Sequence, residues 1–282
     1  MLAGSEDVLE RRSGREQEGT PAVAPLTEVL KPGALEGHSV VVTGAGSGIG
    51  RATARRLIAL GARVTGLGRR AETLRETGSG VPESQYDFHV VDVRRPEALD
   101  AISEVGTKHG ITGLVNNAGG QFIAPAKAIS RKGWDAVIDL NLNAVFALTT
   151  AAYPFLSRDG GAVVNLSLSG VERGSMGMAH SIAARSAVLG LTRTLALEWA
   201  ADRIRLNCIG PGTVVTEQMA GKYGDDSVRA FLAATPLGRG TSPEEVAELI
   251  AYLMSPAGEL MSGQLLQIDG AGALGTGFHG LV

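Results

Sequence analysis

From residue 37 onward the chain alternates two patterns. Short runs of β-branched and aliphatic residues are separated by longer stretches whose apolar positions recur every three to four residues. The runs SVVVT (39–43), ARVTGL (62–67), FHVVDV (88–93), ITGLVN (111–116), GAVVNLS (161–167), IRLNCI (204–209) and QLLQID (264–269) predict seven strands. Helical spacing over 49–60, 95–109, 133–157, 181–200 and 243–254 predicts the main helices between them. Strands this uniformly apolar belong in a parallel sheet covered on both faces. Right-handed crossovers then leave a single-domain, doubly wound α/β sheet of the Rossmann type as the expected architecture.

Two segments depart from that rhythm. Residues 5–20 (SEDVLERRSGREQEGT) are polar, and Pro21, Pro25 and Pro32 follow. Residues 1–36 are therefore expected to be a largely disordered tail and tether, with 37–282 as the folded domain. Residues 213–242 make a long irregular connection behind the sixth strand. Ligands of open α/β sheets bind at the carboxyl ends of strands, so this connection is expected to be a lid.

Composition narrows the function classes. Of the 282 residues 44% are apolar, enough for a large core, and the net charge of −3 gives no electrostatic reason to expect nucleic acid or an anionic membrane as partner. Cys208 is the single cysteine, which excludes an internal disulfide and suits a reducing, cytoplasmic setting. No apolar run approaches the ~20 residues that a membrane-spanning helix needs.

The chemistry begins at Thr43-Gly44-Ala45-Gly46-Ser47-Gly48-Ile49-Gly50, directly after the first strand and opening a helix. Small residues let backbone approach a pyrophosphate, and the helix N-terminus offers unpaired N–H groups and a favourable dipole. The spacing resembles the TGxxxGIG loop of the short-chain dehydrogenases/reductases. Asn116-Asn117-Ala118-Gly119 matches that family's NNAG, Pro211-Gly212 its PG, and Asp92 its adenine-contacting aspartate. The resemblance covers about residues 37–270 and implies a nicotinamide dinucleotide held at 43–50, at Asp92 and Val93, at 117–119, and at Pro211, Gly212, Thr213 and Val214. It also implies a homodimer or homotetramer built on the long helices.

The second strand ends Gly66-Leu67-Gly68-Arg69-Arg70, with no acid until Glu72. Guanidinium groups there pair with a ribose 2′-phosphate, whereas free ribose hydroxyls call for a carboxylate, so NADP(H) is the expected cofactor. The bland reading makes Arg69 and Arg70 solvated charges at a helix start.

Most members of that family use an Asn–Ser–Tyr–Lys set. Aligned on AVLGLTRTLALEWA (187–200), this chain has Arg185 in place of the lysine, Ser181 in place of the tyrosine and Leu168 in place of the serine. A one-residue slip brings in Ser167 or Ser169 but no tyrosine. Asn141 alone matches, and its family role is to keep a kink and a water in its helix. Serine is too weak an acid to protonate an alkoxide, and arginine does not shuttle protons. Reducing a C=C bond conjugated to a thioester adds hydride at the β carbon and asks for fixed donors at the enolate oxygen, while the α carbon can collect its proton later, even from water. The strings NNAGGQFIAPAKAISRKGWDAV (116–137) and AHSIAARSAV (179–188) are similar to the peroxisomal-type trans-2-enoyl-CoA reductases, to which 2,4-dienoyl-CoA and 1-cyclohexenylcarbonyl-CoA reductases are related.

That resemblance implies NADPH-dependent reduction of an acyl-CoA substrate, with Gln121 read as the donor to the carbonyl oxygen or as a plain loop residue. Ser181 and Arg185, four apart, share a helix face. Ser181 reads as a second donor or as a helix-capping serine. Arg185 reads as an anchor for the cofactor ribose or as a solvated cation. Tyr223, in the expected lid, reads as a proton donor to the α carbon or as a packing residue. His180 reads as structural. A carbonyl reductase and an inactive dinucleotide-binding protein stand as alternatives, and no metal site is expected.

Overall fold

The computed structural model describes residues 30–216, 229, 232–233 and 235–274. Seven strands form one parallel sheet, β1 (Ser39–Thr43), β2 (Arg63–Gly68), β3 (Tyr86–Val90), β4 (Gly113–Asn116), β5 (Gly161–Leu166), β6 (Ile204–Pro211) and β7 (Leu265–Ile268). Their order is β3-β2-β1-β4-β5-β6-β7, so the chain reverses its direction of travel between β1 and β4. All six neighbouring pairs are parallel. The crevice beyond the carboxyl ends of β1 and β4 is where such sheets bind ligands.

Helices cover both faces, as the apolar strands require. On one face α1 (Gly48–Ala59) packs on α7 (Pro243–Met254), with Leu57, Val246 and Ile250 fully buried. The other face carries α3 (Glu97–His109), α5 (Ala144–Asp159) and α6 (Ala179–Glu198) around Ile102, Leu148, Leu156 and Leu195. The start of α7 follows from TSPEE: Ser242 Oγ accepts from Glu245 N at 3.1 Å, and Glu245 returns the bond to Ser242 N at 2.8 Å. A short helix, α2 (Ala71–Thr77), was too brief for its periodicity to stand out.

The long helix expected over 133–157 is broken in the middle. It runs as α4 (Arg131–Ile138), a π turn (Asp139–Asn143) and α5. Buried Asn141 causes the break, donating to Val137 O at 2.7 Å within its own helix and to Gly120 O at 2.8 Å outside it. The joined run Arg131–Asp159 is the one helix among the described residues long and apolar enough to cross a membrane, with mean hydropathy 1.3. In the fold its residues Leu148, Ala152 and Leu156 are core.

Residues 1–29 of the expected tail lie outside the described residues, and the packed core takes in residues ahead of 37. Leu35 is fully buried and its N–H donates to Leu60 O at 2.9 Å, while Leu30 packs on the same core. The prolines had suggested an unstructured approach, but one leucine with a pocket beneath α1 ties the segment down. Leu35→Ala is expected to destabilise the protein by ~2–5 kcal/mol in a denaturant titration.

Candidate functional site: a dinucleotide cleft with an amide–serine pair

A cleft of about 340 Å³ opens at the β1/β4 reversal. Its floor is the glycine loop. Gly44 and Gly48 sit at φ +69° and +50°, conformations that L side chains rarely adopt. A Cβ on Gly50 would lie 2.2 Å from Gly44 O and 2.5 Å from Asn117 Nδ2, so α1 reaches the loop only because position 50 is bare. The loop is held from β4: Thr43 Oγ1 accepts from the N–H groups of Asn117 and Ala118 at 2.9 and 2.8 Å, and Asn117 Nδ2 donates to Thr43 O at 2.8 Å. The first turn of α1 contains no acid, which leaves its dipole free to attract an anion.

Of the expected cofactor residues, Gly44, Ser47, Gly48, Ile49, Arg69, Arg70, Asp92, Val93, Asn117, Ala118 and Gly119 line the cleft. Thr43 and Gly50 shape it from behind. Pro211, Gly212, Thr213 and Val214 do not line it; Gly212 N donates to Ile268 O, and Val214 bridges to Thr241. The two ends of the expected lid therefore run side by side, and Thr216 leans over Gly48. Tyr223 lies outside the described residues, as do the rest of 217–228, 230–231 and 234. Thr73, Leu140 and Arg94 also line the cleft and were not anticipated. Arg94 had a signal, since it follows Asp92 by two residues.

Asp92 is the one carboxylate among the described residues lining the cleft. Hydrogen bonds from Arg94 hold it well below the usual carboxylate range, at about 2, and Arg69 adds a smaller pull.

Gln121, Asn141, Ser181 and Arg185 are brought together by a closed chain of hydrogen bonds. Ser181, fully buried, donates from Oγ to Gln121 Oε1 at 2.8 Å. Asn141 grips the peptide before Gln121, donating to Gly120 O and accepting from Gly120 N at 3.2 Å. Arg185 Nη2 donates to Asn141 Oδ1 at 3.0 Å, and the chain closes because Arg185 and Ser181 share α6.

Arg185 does not line the cleft: its Nη1 donates to Leu166 O and Ser167 O at 2.7 and 2.9 Å, so it braces the end of β5 against Asn141 from inside the fold. Burial pushes its guanidinium down to about 10. Ser181 is no helix cap, since α6 begins two residues earlier and its hydroxyl points at Gln121. Neither alternative serine stands in for it, because Ser167 donates to Arg185 O and Ser169 to Asp269. His180 is fully buried, accepting Ser181 N at Nδ1 and meeting the Phe122 ring edge-on at 4.3 Å.

The matching family, described as Enoyl-(Acyl carrier protein) reductase, spans residues 44–272. The chain belongs to the short-chain dehydrogenase/reductase family. It is thus an oxidoreductase of a family that uses a nicotinamide dinucleotide. A probable 2,4-dienoyl-CoA reductase of Bacillus subtilis is 36% identical over 84% of this chain and 96% of its own length. A 3-oxoacyl-[acyl-carrier-protein] reductase of Thermotoga maritima is 35% identical over 84% of this chain and 98% of its own. Among solved structures, a citronellol catabolism dehydrogenase of Pseudomonas aeruginosa matches with TM-score 0.77 and 36% identity, over 88% of this chain and all of that one.

Proposed function

We propose that this protein is an NADPH-dependent reductase of the C=C bond of an enoyl-thioester, with an acyl-CoA as substrate. The Ser181–Gln121 hydrogen bond carries the reading. Ser181 donating to Oε1 holds the Gln121 amide in one orientation, and that amide is the group we assign to a carbonyl oxygen that gains negative charge. None of the described tyrosines, Tyr86, Tyr153 and Tyr252, lines the cleft, and position 181 holds a hydroxyl already engaged. Ketone reduction asks for an acid of tuned pKa beside the new alkoxide, and this arrangement lacks one among the described residues.

When bound, the nicotinamide would supply a hydride to the β carbon of the conjugated double bond. Gln121 would then stabilise the thioester enolate oxygen, and the α carbon would take its proton from water. Asn141 and Arg185 would hold the Gly120–Gln121 backbone still while charge moves onto that oxygen. The similarity to the Bacillus 2,4-dienoyl-CoA reductase supports the substrate class.

NADPH as the partner rests on the cleft's charge. Arg69, Arg70 and Arg94 line it, the single carboxylate is paired, and Glu72 stays outside the lining. Such a cleft fits a 2′-phosphate and offers ribose hydroxyls no carboxylate at β2. Arg69→Ala is expected to weaken NADPH binding far more than NADH binding in a calorimetric titration; equal losses would contradict the assignment. For the reaction, purified protein with NADPH is offered crotonyl-CoA, a cyclic enoyl-CoA and a ketone panel. Nicotinamide absorbance should fall with the enoyl-CoAs, and oxidation with ketones alone would overturn the reading.

A further inference from the structure

We propose that Arg94 sets nucleotide preference by neutralising Asp92, so that an adenine-side carboxylate and a ribose 2′-phosphate can occupy one cleft. This deepens the NADPH reading and rests on it. The side chains meet as a fork: Arg94 Nε donates to Asp92 Oδ1 at 2.9 Å and Nη2 to Oδ2 at 2.5 Å, while the Arg94 backbone N–H donates to Oδ1 at 3.1 Å. Both carboxylate oxygens are therefore fixed by one residue. Both groups stay open to a ligand, with side-chain exposures of 34% and 21%.

Two physical consequences follow. An unpaired Asp92 would repel the 2′-phosphate across the same cleft. It would also compete for Arg69, which already lies within its field. By taking Asp92, Arg94 leaves the Arg69 guanidinium to the phosphate. A nucleotide without the 2′-phosphate has no group for Arg69 to serve and would feel only the weaker repulsion of its remaining phosphates, so Arg94 would act more on the choice between nucleotides than on dinucleotide binding in general.

The test is calorimetry on the full chain with NADPH, NADH, 2′,5′-ADP and 5′-AMP. Arg94→Ala should weaken NADPH and 2′,5′-ADP by roughly tenfold, the size expected of charges at a part-screened site, and weaken NADH and 5′-AMP much less. The loss should shrink at high ionic strength. Adding Asp92→Asn, which keeps a carbonyl acceptor but removes the charge, should restore most of the NADPH affinity. Equal weakening of NADPH and NADH, no weakening, or no recovery in the double variant would each overturn the proposal. Wild-type protein binding NADPH and NADH equally would instead overturn the NADPH reading beneath it.

Discussion

Gln121→Ala is expected to lower kcat with an enoyl-CoA by ~10²–10³-fold, the usual effect of removing one pre-organised donor to a developing oxyanion. NADPH affinity should be unchanged, because Gln121 lies beyond the residues that line the dinucleotide cleft. The partner variant sharpens the test. Ser181→Ala removes the hydrogen bond that holds Oε1, so the amide loses one restraint on its orientation. Its loss should be smaller, and the double variant should be little worse than Gln121→Ala alone, because the serine acts through the amide. Fully additive losses would mean that Ser181 touches the substrate itself. Wild-type turnover in Gln121→Ala would remove the amide from the reaction.

Gly50→Ala is the second large effect. The added methyl would sit 2.2 Å from Gly44 O and 2.5 Å from Asn117 Nδ2, and both neighbours belong to the cofactor loops. Neither has space to yield, since Gly44 N donates to Leu67 O at 2.7 Å and Asn117 Nδ2 is bonded to Thr43 O. The glycine loop must therefore shift. Overpacking of this kind costs ~1–3 kcal/mol of stability, and a displacement of about 1 Å at a reacting geometry costs ~10²-fold in turnover. Thermal unfolding and NADPH-dependent rates measure the two parts separately. A variant with full activity would show that the loop adapts at no cost.

Much of the molecule was legible before the structure. The seven strands, their parallel arrangement and the glycine loop followed from runs such as SVVVT and from Gly44, Gly48 and Gly50, because strands buried on both faces must be apolar throughout. The strand edges moved by one to a few residues: β3 begins at Tyr86, ahead of the expected 88, and β6 runs to Pro211. Leu35 was missed because one buried leucine in a proline-rich stretch has no periodicity to reveal it. The contacts of Arg185 with Asn141 and the end of β5 were not legible, because its four-residue spacing from Ser181 places both on one face but does not say how far inward each reaches.

By itself the sequence determined the sheet, the cleft at its reversal and the absence of a tyrosine and a lysine at positions 181 and 185. These are local properties, set by period, by bare backbone at glycine and by residue identity. The tertiary structure alone decided what replaces the missing pair. Ser181 meets Gln121 across 60 positions of chain, and Arg185 meets Asn141 across 44. At the cofactor end the Arg94–Asp92 pair is local, two residues apart, and the fold decides only that it shares a cleft with Arg69 and Arg70 from the end of β2. Hydrogen-bond direction depends on where two separate segments come to rest, and no pattern along one segment encodes that.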